Sequence, residues 1–463
     1  MKRFIYLLWF AHEHVAFRIH EIESIASLLN IPIKWLEPPS DEPWYLVELP
    51  SEEAVQQISA RSVTMRRALQ LWADEPTISK LHETLKEKCL NGILEPFKLK
   101  SFKVDVDLFC NSQTKEEKLE RIESFSYIPF EGPVNLKNPD VTFQYIEYYG
   151  LDPKNIPEFP TRTFFGRVVA ESGRSLIHEL SLKNRTFIGN TSMDPQLSLL
   201  MANLGKVSNG DLVLDPFVGS GSLLVAAAKF GGHVIGTDID YLMLHGRTRP
   251  TRKQTRHIPR RNESIEANMV QYSCVDKYID VIVADSSIPC WRSDVEFDCI
   301  LADPPYGIRE PTERIGSKEF LPIVKKETIH FPSKVDYGLN EIVKDLMKFS
   351  SKQLKLNGRL LFWVPVFKQH YDESQIPRHS SFKLIGNCEQ VLTTFTARRL
   401  LIFEKIKMPE DTDECSCTIP STNSFREQFF NWDENRLTRK EKKEAAARNK
   451  ELWFAKLNNI NVK

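Results

Sequence analysis

Asp303-Pro304-Pro305-Tyr306-Gly307 places a carboxylate, two prolines and an aromatic ring in consecutive positions. Each proline fixes φ and removes a backbone donor, which leaves neighbouring carbonyls free to accept. This set suits an exocyclic amino group on a nucleobase. The Asp303 carboxylate and the Pro304 carbonyl would take its N–H protons, and Tyr306 would stack on the ring. The alternative is a Pro-Pro turn carrying a solvated acid. The preceding run, Phe297-Asp298-Cys299-Ile300-Leu301-Ala302, reads as a buried strand. The motif then lies just past a strand's carboxyl end, where open α/β sheets bind ligands.

Three earlier strands must position the rest of such a site. Asp211 to Leu214 is followed by Asp215-Pro216-Phe217-Val218-Gly219-Ser220-Gly221 and an Ala-rich helix, Ser222 to Phe230, stopped by Gly231-Gly232. Gly219 and Gly221 allow close backbone approach to a ligand. Leu224 stands where a dinucleotide fingerprint wants its third glycine, so the turn lacks the usual form for a pyrophosphate. His233 to Thr237 is a second strand ending at Asp238-Ile239. An acid roughly twenty residues after a glycine-rich turn is placed to bind ribose hydroxyls. Tyr278 to Ala284 is a third strand, ending at Asp285-Ser286, where a carboxylate could accept from an adenine amine. Each acid alone reads equally well as a helix N-cap or a solvated strand end. Taken in order with Asp303, they converge on one site.

Asp-Pro-Pro-Tyr resembles the signature of amino-group methyltransferases that use S-adenosylmethionine. With Phe187-Ile188-Gly189-Asn190-Thr191-Ser192-Met193-Asp194 and the Asp215 to Gly221 turn, the chain resembles the eukaryotic tRNA guanosine-10 N2-methyltransferase catalytic subunits. Phe130 to Leu136, Tyr149 to Pro153, Phe165-Gly166-Arg167 and Asn423 to Glu427 carry the likeness over nearly the whole chain. It is weakest in the first hundred residues and the last thirty. The resemblance implies an α/β Rossmann-like S-adenosylmethionine-dependent methyltransferase sheet, preceded by an α+β N-terminal module and a THUMP-like RNA-binding module. It implies Asp303, Pro304, Pro305 and Tyr306 as catalytic residues. Cofactor contacts would come from Thr191, Met193, Asp215, Phe217, Gly219, Gly221, Asp238, Ile239, Asp285 and Ser286. It also implies tRNA as substrate and a small zinc-binding activator subunit as partner. The third strand, with Val281 and Val283, is one surface for that partner if it forms a sheet edge. Adenine N6 or a protein glutamine remain alternative targets, although glutamine enzymes carry Asn at the position of Asp303. A non-catalytic RNA-binding protein on the same scaffold is a further alternative, discriminated by a cofactor-binding titration.

The 463 residues carry 62 basic and 62 acidic side chains, so any nucleic-acid contact must be a local basic surface. The densest run is Arg247 to Arg261, a proline-bearing loop after Asp238; Arg247, Arg249, Arg252, Lys253 and Arg256 are its candidate RNA contacts, against a simply solvated insertion. The cluster from Arg439 to Lys450, interleaved with Glu and Ala, reads as a solvated helix. Eight scattered cysteines, with Cys415-Ser416-Cys417 too close for a usual zinc pair, predict no metal site and reduced thiols in a cytoplasmic protein. No apolar stretch approaches the roughly 18 residues of a membrane span. Lys2-Arg3 and the apolar Phe4 to Ala11 lack a cleavage site and read as a first strand.

The domain organisation expected is 1–75, an N-terminal α+β module; 76–181, the THUMP-like domain; 182–405, the catalytic domain; and 406–463, a tail. In the second unit, helices Ile78 to Leu90 and Thr114 to Ser124 and strands Phe97 to Val106, Val141 to Tyr149 and Thr163 to Glu171 are expected. The catalytic unit would close with helix Leu339 to Leu354, an Asn357-Gly358 turn, strand Arg359 to Val364 and a hairpin. The charged stretch between Ile308 and Tyr337 is a candidate lid.

Overall fold

The computed structural model describes residues 4–189, 191–245, 263–288, 290–308, 310–316 and 333–419. The candidate RNA contacts in the Arg247 to Arg261 loop, and the Arg439 to Lys450 cluster, lie outside them.

The N-terminal half is one seven-stranded sheet. Its strands are β1 (Phe4–Phe10), β2 (Lys34–Trp35), β3 (Trp44–Leu49), β4 (Met65–Glu75), β5 (Phe102–Phe109), β6 (Val141–Tyr148) and β7 (Arg162–Glu171), in the order β2-β3-β1-β4-β7-β6-β5. The division expected at residue 75 falls inside this sheet. Strand β4 pairs with β1 on one side and β7 on the other, joining the two expected modules by a continuous ladder. Helix Lys115–Glu123 starts where its capping box predicts, with Thr114 and Glu117 bonding each other's backbone. β5 begins later than the apolar pattern implies, because Pro96 sits in the short 3-10 turn Glu95–Phe97.

The second sheet contains β8 (Leu212–Asp215), β9 (His233–Asp238), β10 (Tyr278–Val283), β11 (Phe297–Ala302), β14 (Leu354–Phe367), β15 (Phe382–Val391) and β16 (Thr396–Lys405). Between them, β12 (Glu313–Ile315) and β13 (Lys334–Asp336) form a separate antiparallel ribbon at the two ends of the expected lid; residues 317–332 lie outside the described part. The order is β10-β9-β8-β11-β14-β16-β15, with the first five strands parallel and β16 alone running antiparallel to its two neighbours, β14 and β15. The chain reverses its direction of winding between β8 and β11, which makes the carboxyl ends of these neighbours the topological switch point. The Asn357-Gly358 turn expected before strand Arg359 to Val364 instead lies inside β14. Asn357, at φ 65, forms a bulge inside β14, marked by the jump in register from Leu354 to Arg359 against β11.

Helices Pro195–Leu204 and Ser222–Lys229 cover one face of this sheet, and helix Leu339–Gln353 covers the other. The N-terminal half docks on the first face. Phe17 and Val63 are fully buried within the catalytic core cluster. Buried Glu21 accepts from Ser62 Oγ, the Val63 and Thr64 amides and the Thr64 hydroxyl, and also from Asn203 Nδ2 of the catalytic half at 2.8 Å. Arg359 Nη1 reaches back to Ser24 Oγ at 2.8 Å. A buried carboxylate is tolerated when its acceptor capacity is filled in this way.

Candidate active site

Gly219 and Gly221 shape the turn after β8, with φ at 48° and 78°, a region that side chains with a Cβ rarely adopt. A Cβ on Gly221 would also lie 2.8 Å from Ile265 Cγ2. The turn is tied to the next strand by Asp238, whose Oδ2 accepts from the Gly219 amide at 2.8 Å while Oδ1 accepts from the Asp240 amide at 2.8 Å. Asp215 is buried and accepts from the Phe217 amide at 3.0 Å. Burial pushes its carboxyl well above the usual range, and the negative fields of Asp238 and Asp303 push the same way. Burial likewise raises Asp238, against the pull of its two backbone donors. These acids therefore crowd one cleft, where burial and mutual repulsion favour a cationic neighbour.

A small open cleft lies beside them, lined by Phe217, Asp285, Ser286, Ile288, Trp291 and Leu346 among others. Asp285 Oδ1 accepts from the Ser287 amide, and its Oδ2 from the Ile315 amide in β12. The ribbon base thus packs against this cavity. Ile239 sits half-buried after β9. Met193 is buried in the core cluster, and the Thr191 hydroxyl lies 3.5 Å from Glu310. Of the ten expected cofactor residues, Phe217, Asp285 and Ser286 line the cavity directly. Asp215, Gly219 and Gly221 belong to the turn beside it, and Asp238 at the end of β9 ties that turn down.

Asp303 follows β11, with Pro304 buried behind it and Gly307 at φ 76 closing the turn. The Tyr306 hydroxyl donates to Asp303 Oδ1. The sequence assigns Tyr306 to stacking through its ring alone; the structure gives its hydroxyl a partner as well. Arg398 of β16, which sequence reasoning missed, donates from Nη1 to Asp303 Oδ2 at 3.2 Å. No spacing signal could have found it, since 95 residues separate the pair. Burial raises the Asp303 carboxyl, while Arg398 and Tyr306 pull it down.

β10 is an edge strand, paired only to β9 among the described residues. Val283 is exposed, together with Ile279 and Ile282, whereas Val281 packs against the core. No helix among the described residues is long and apolar enough to cross a membrane.

Family models match both halves of the chain: a Tmrp11 THUMP N-terminal domain over residues 4–174 and an RMKL-like methyltransferase domain over 183–324. The cattle protein named tRNA (guanine(10)-N(2))-methyltransferase TRMT11 is 42% identical over 449 residues, covering 94% of this chain and 97% of that protein. The human protein of that name is 41% identical over 452 residues, with the same coverage. The Saccharomyces cerevisiae tRNA (guanine(10)-N(2))-methyltransferase is 32% identical, covering 92% of this chain and 99% of its own length. Likeness of this extent spans both sheets and the whole of the cleft between β8 and β11, and the chain belongs to the tRNA (guanine(10)-N(2))-methyltransferase family.

Proposed function

We propose that this protein methylates the exocyclic N2 amine of guanosine 10 in tRNA, with S-adenosylmethionine as methyl donor. The observation that carries the reading is the convergence of Asp215, Asp238 and Asp303 at the switch point, beside the cleft lined by Phe217 and Asp285. The residues present fit that cofactor. Asp238 would hold the ribose hydroxyls, Asp285 and the cavity the adenine, and the glycine turn with Asp215 the charged methionine end. When bound, the cofactor supplies an electrophilic methyl group on a cationic sulfur, which matches an acid-rich cleft whose turn carries Leu224 in place of a pyrophosphate-binding glycine.

The target amine is a weak nucleophile, because its lone pair is delocalised into the guanine ring. Asp303 would accept one N–H and the Pro304 carbonyl another, concentrating electron density on nitrogen and fixing its direction. Most of the rate gain would come from this alignment and from preorganised acceptors. Asp303 then takes the proton that nitrogen sheds on alkylation. The ring of Tyr306 would receive the base, recovering about 1–3 kcal/mol of the cost of unstacking it.

The N-terminal half would grip the tRNA by shape and phosphate contacts, in a cytoplasmic setting. A small zinc-binding activator subunit would add a strand to the free edge of β10, covering Ile279, Ile282 and Val283. Transfer of labelled methyl groups to tRNA transcripts bearing G10 or A10 tests the target assignment. Label on G10 transcripts alone is expected, and equal label on both would refute it.

A further inference from the structure

We infer that Arg398 is a positioning residue for methyl transfer: its guanidinium holds the Asp303 carboxylate in place, on a floor provided by Trp363. The inference rests on the reading of Asp303 as the acceptor for the target amine. Arg398 crosses from β16 over β14 to reach its partner. Its carbon Cζ lies 4.1 Å above the ring of Trp363, Nη1 contacts Asp303 Oδ2 at 3.2 Å, and Nε donates to Gln390 Oε1 at 2.6 Å. Its side chain is only 13% exposed. Trp363 is fully buried, donates from Nε1 to Met201 Sδ at 3.1 Å, and packs 6.0 Å from the ring of Phe17. The acid at the end of β11 is therefore braced through Arg398 and Trp363 by the N-terminal half. A fork fixed at both ends cannot rotate to follow the carboxylate, so the carboxylate is held to the fork.

Burial pushes Asp303 toward its neutral form, which accepts N–H bonds more weakly and cannot take up the departing proton. The charged and titratable groups facing Asp303 are Arg398 from β16, Tyr306 from its own turn and Asp215 from β8. Behind Arg398, on the N-terminal half, His14 feels its charge together with those of Asp194, Glu13 and Arg174. Among the described residues, Arg398 is the only cation facing Asp303.

The test is the pH profile of single-turnover transfer for Arg398→Gln and Arg398→Lys on the full chain with its tRNA, beside S-adenosylmethionine affinity. Arg398→Gln is expected to lower the rate at least tenfold at neutral pH and to move the acid limb upward by about one unit or more, with cofactor affinity within threefold. Arg398→Lys should return the limb close to wild type with partial recovery of rate, and His14→Gln should leave the limb in place. An unmoved limb in Arg398→Gln, or a limb that follows His14→Gln, overturns the inference. Should Arg398→Gln fail to fold, a wild-type rate in Arg398→Lys overturns it, and a rate lowered at unchanged cofactor affinity supports it. Asp303→Asn run in parallel separates the two claims. Activity in that variant refutes the reading of Asp303 itself, whereas an inactive Asp303→Asn beside an unaffected Arg398→Gln refutes only the role of Arg398.

Discussion

Asp238→Ala removes a carboxylate that already works in the free protein. Its two oxygens accept from the Gly219 and Asp240 amides, each at 2.8 Å. These bonds hold the glycine turn against β9, so the substitution loosens the turn as well as deleting ribose acceptors. A hydrogen bond to a charged group contributes about 1.5–3 kcal/mol, giving roughly 3–6 kcal/mol for two ribose bonds as an upper limit. Burial, and to a lesser extent the charge of Asp240, work against the charged form and reduce that value. A net loss of about 2–4 kcal/mol corresponds to roughly 30- to 1000-fold weaker S-adenosylmethionine binding. Asp238→Asn, which keeps the shape and one acceptor, should fall between wild type and Ala. Calorimetry on the three proteins measures this directly, with tRNA affinity by filter binding expected to stay within twofold. An Asp238→Ala protein that binds cofactor within threefold of wild type would reduce Asp238 to a clip for its own loop.

Two other perturbations test how the halves and the acids cooperate. Asn203→Ala deletes the bond to Glu21 Oε1 at 2.8 Å, the bond to the Arg61 carbonyl at 2.9 Å and the acceptor for Arg61 Nε at 3.0 Å. Scanning calorimetry should show a melting temperature lower by about 2 °C, from some 2 kcal/mol of lost interface bonding; kcat/KM for tRNA should fall further than cofactor affinity does, and an unchanged melting curve would contradict the latch. For Asp215, the raised folded value means that the native state holds its proton more tightly than the unfolded chain, so its contribution to stability is complete at low pH and is lost as pH rises above the ordinary Asp value. Asp215→Asn should therefore melt higher than wild type near pH 7.5, with the gap closing toward pH 4, and should bind cofactor more weakly; a gap that widens on acidification would reverse the sign of the argument.

The chemical motifs were legible because each is local. The carboxyl end of a strand, a glycine turn and a Pro-Pro turn can be read within a few residues, and β8, β9, β10 and β11 stand where those patterns put them. β4 was not legible. Its sequence, Met65-Arg66-Arg67-Ala68-Leu69-Gln70-Leu71-Trp72-Ala73-Asp74-Glu75, has charges at both ends, and only pairing on both edges makes it the centre of a sheet. That strand is also why the N-terminal half reads as two modules in sequence and forms one sheet in space. Arg398, Trp363 and Phe17 act across distances in sequence that no periodicity reports. For the same reason a fragment starting near Leu182, which carries every chemical motif, would bare the surface that Phe17, Glu21 and Val63 cover.

The central claim is that Asp303 receives the target amine of guanosine 10, and nucleoside mapping after single-turnover reaction on unmodified tRNA tests it most directly. Wild type should yield N2-methylguanosine at position 10, while Asp303→Asn should slow its formation about 10²–10³-fold, the range for losing one preorganised charge-stabilising group. Cofactor and tRNA affinities should stay within a few fold. Methylation at another atom by the wild-type protein, or formation of N2-methylguanosine by Asp303→Asn at near wild-type rate, would contradict the account.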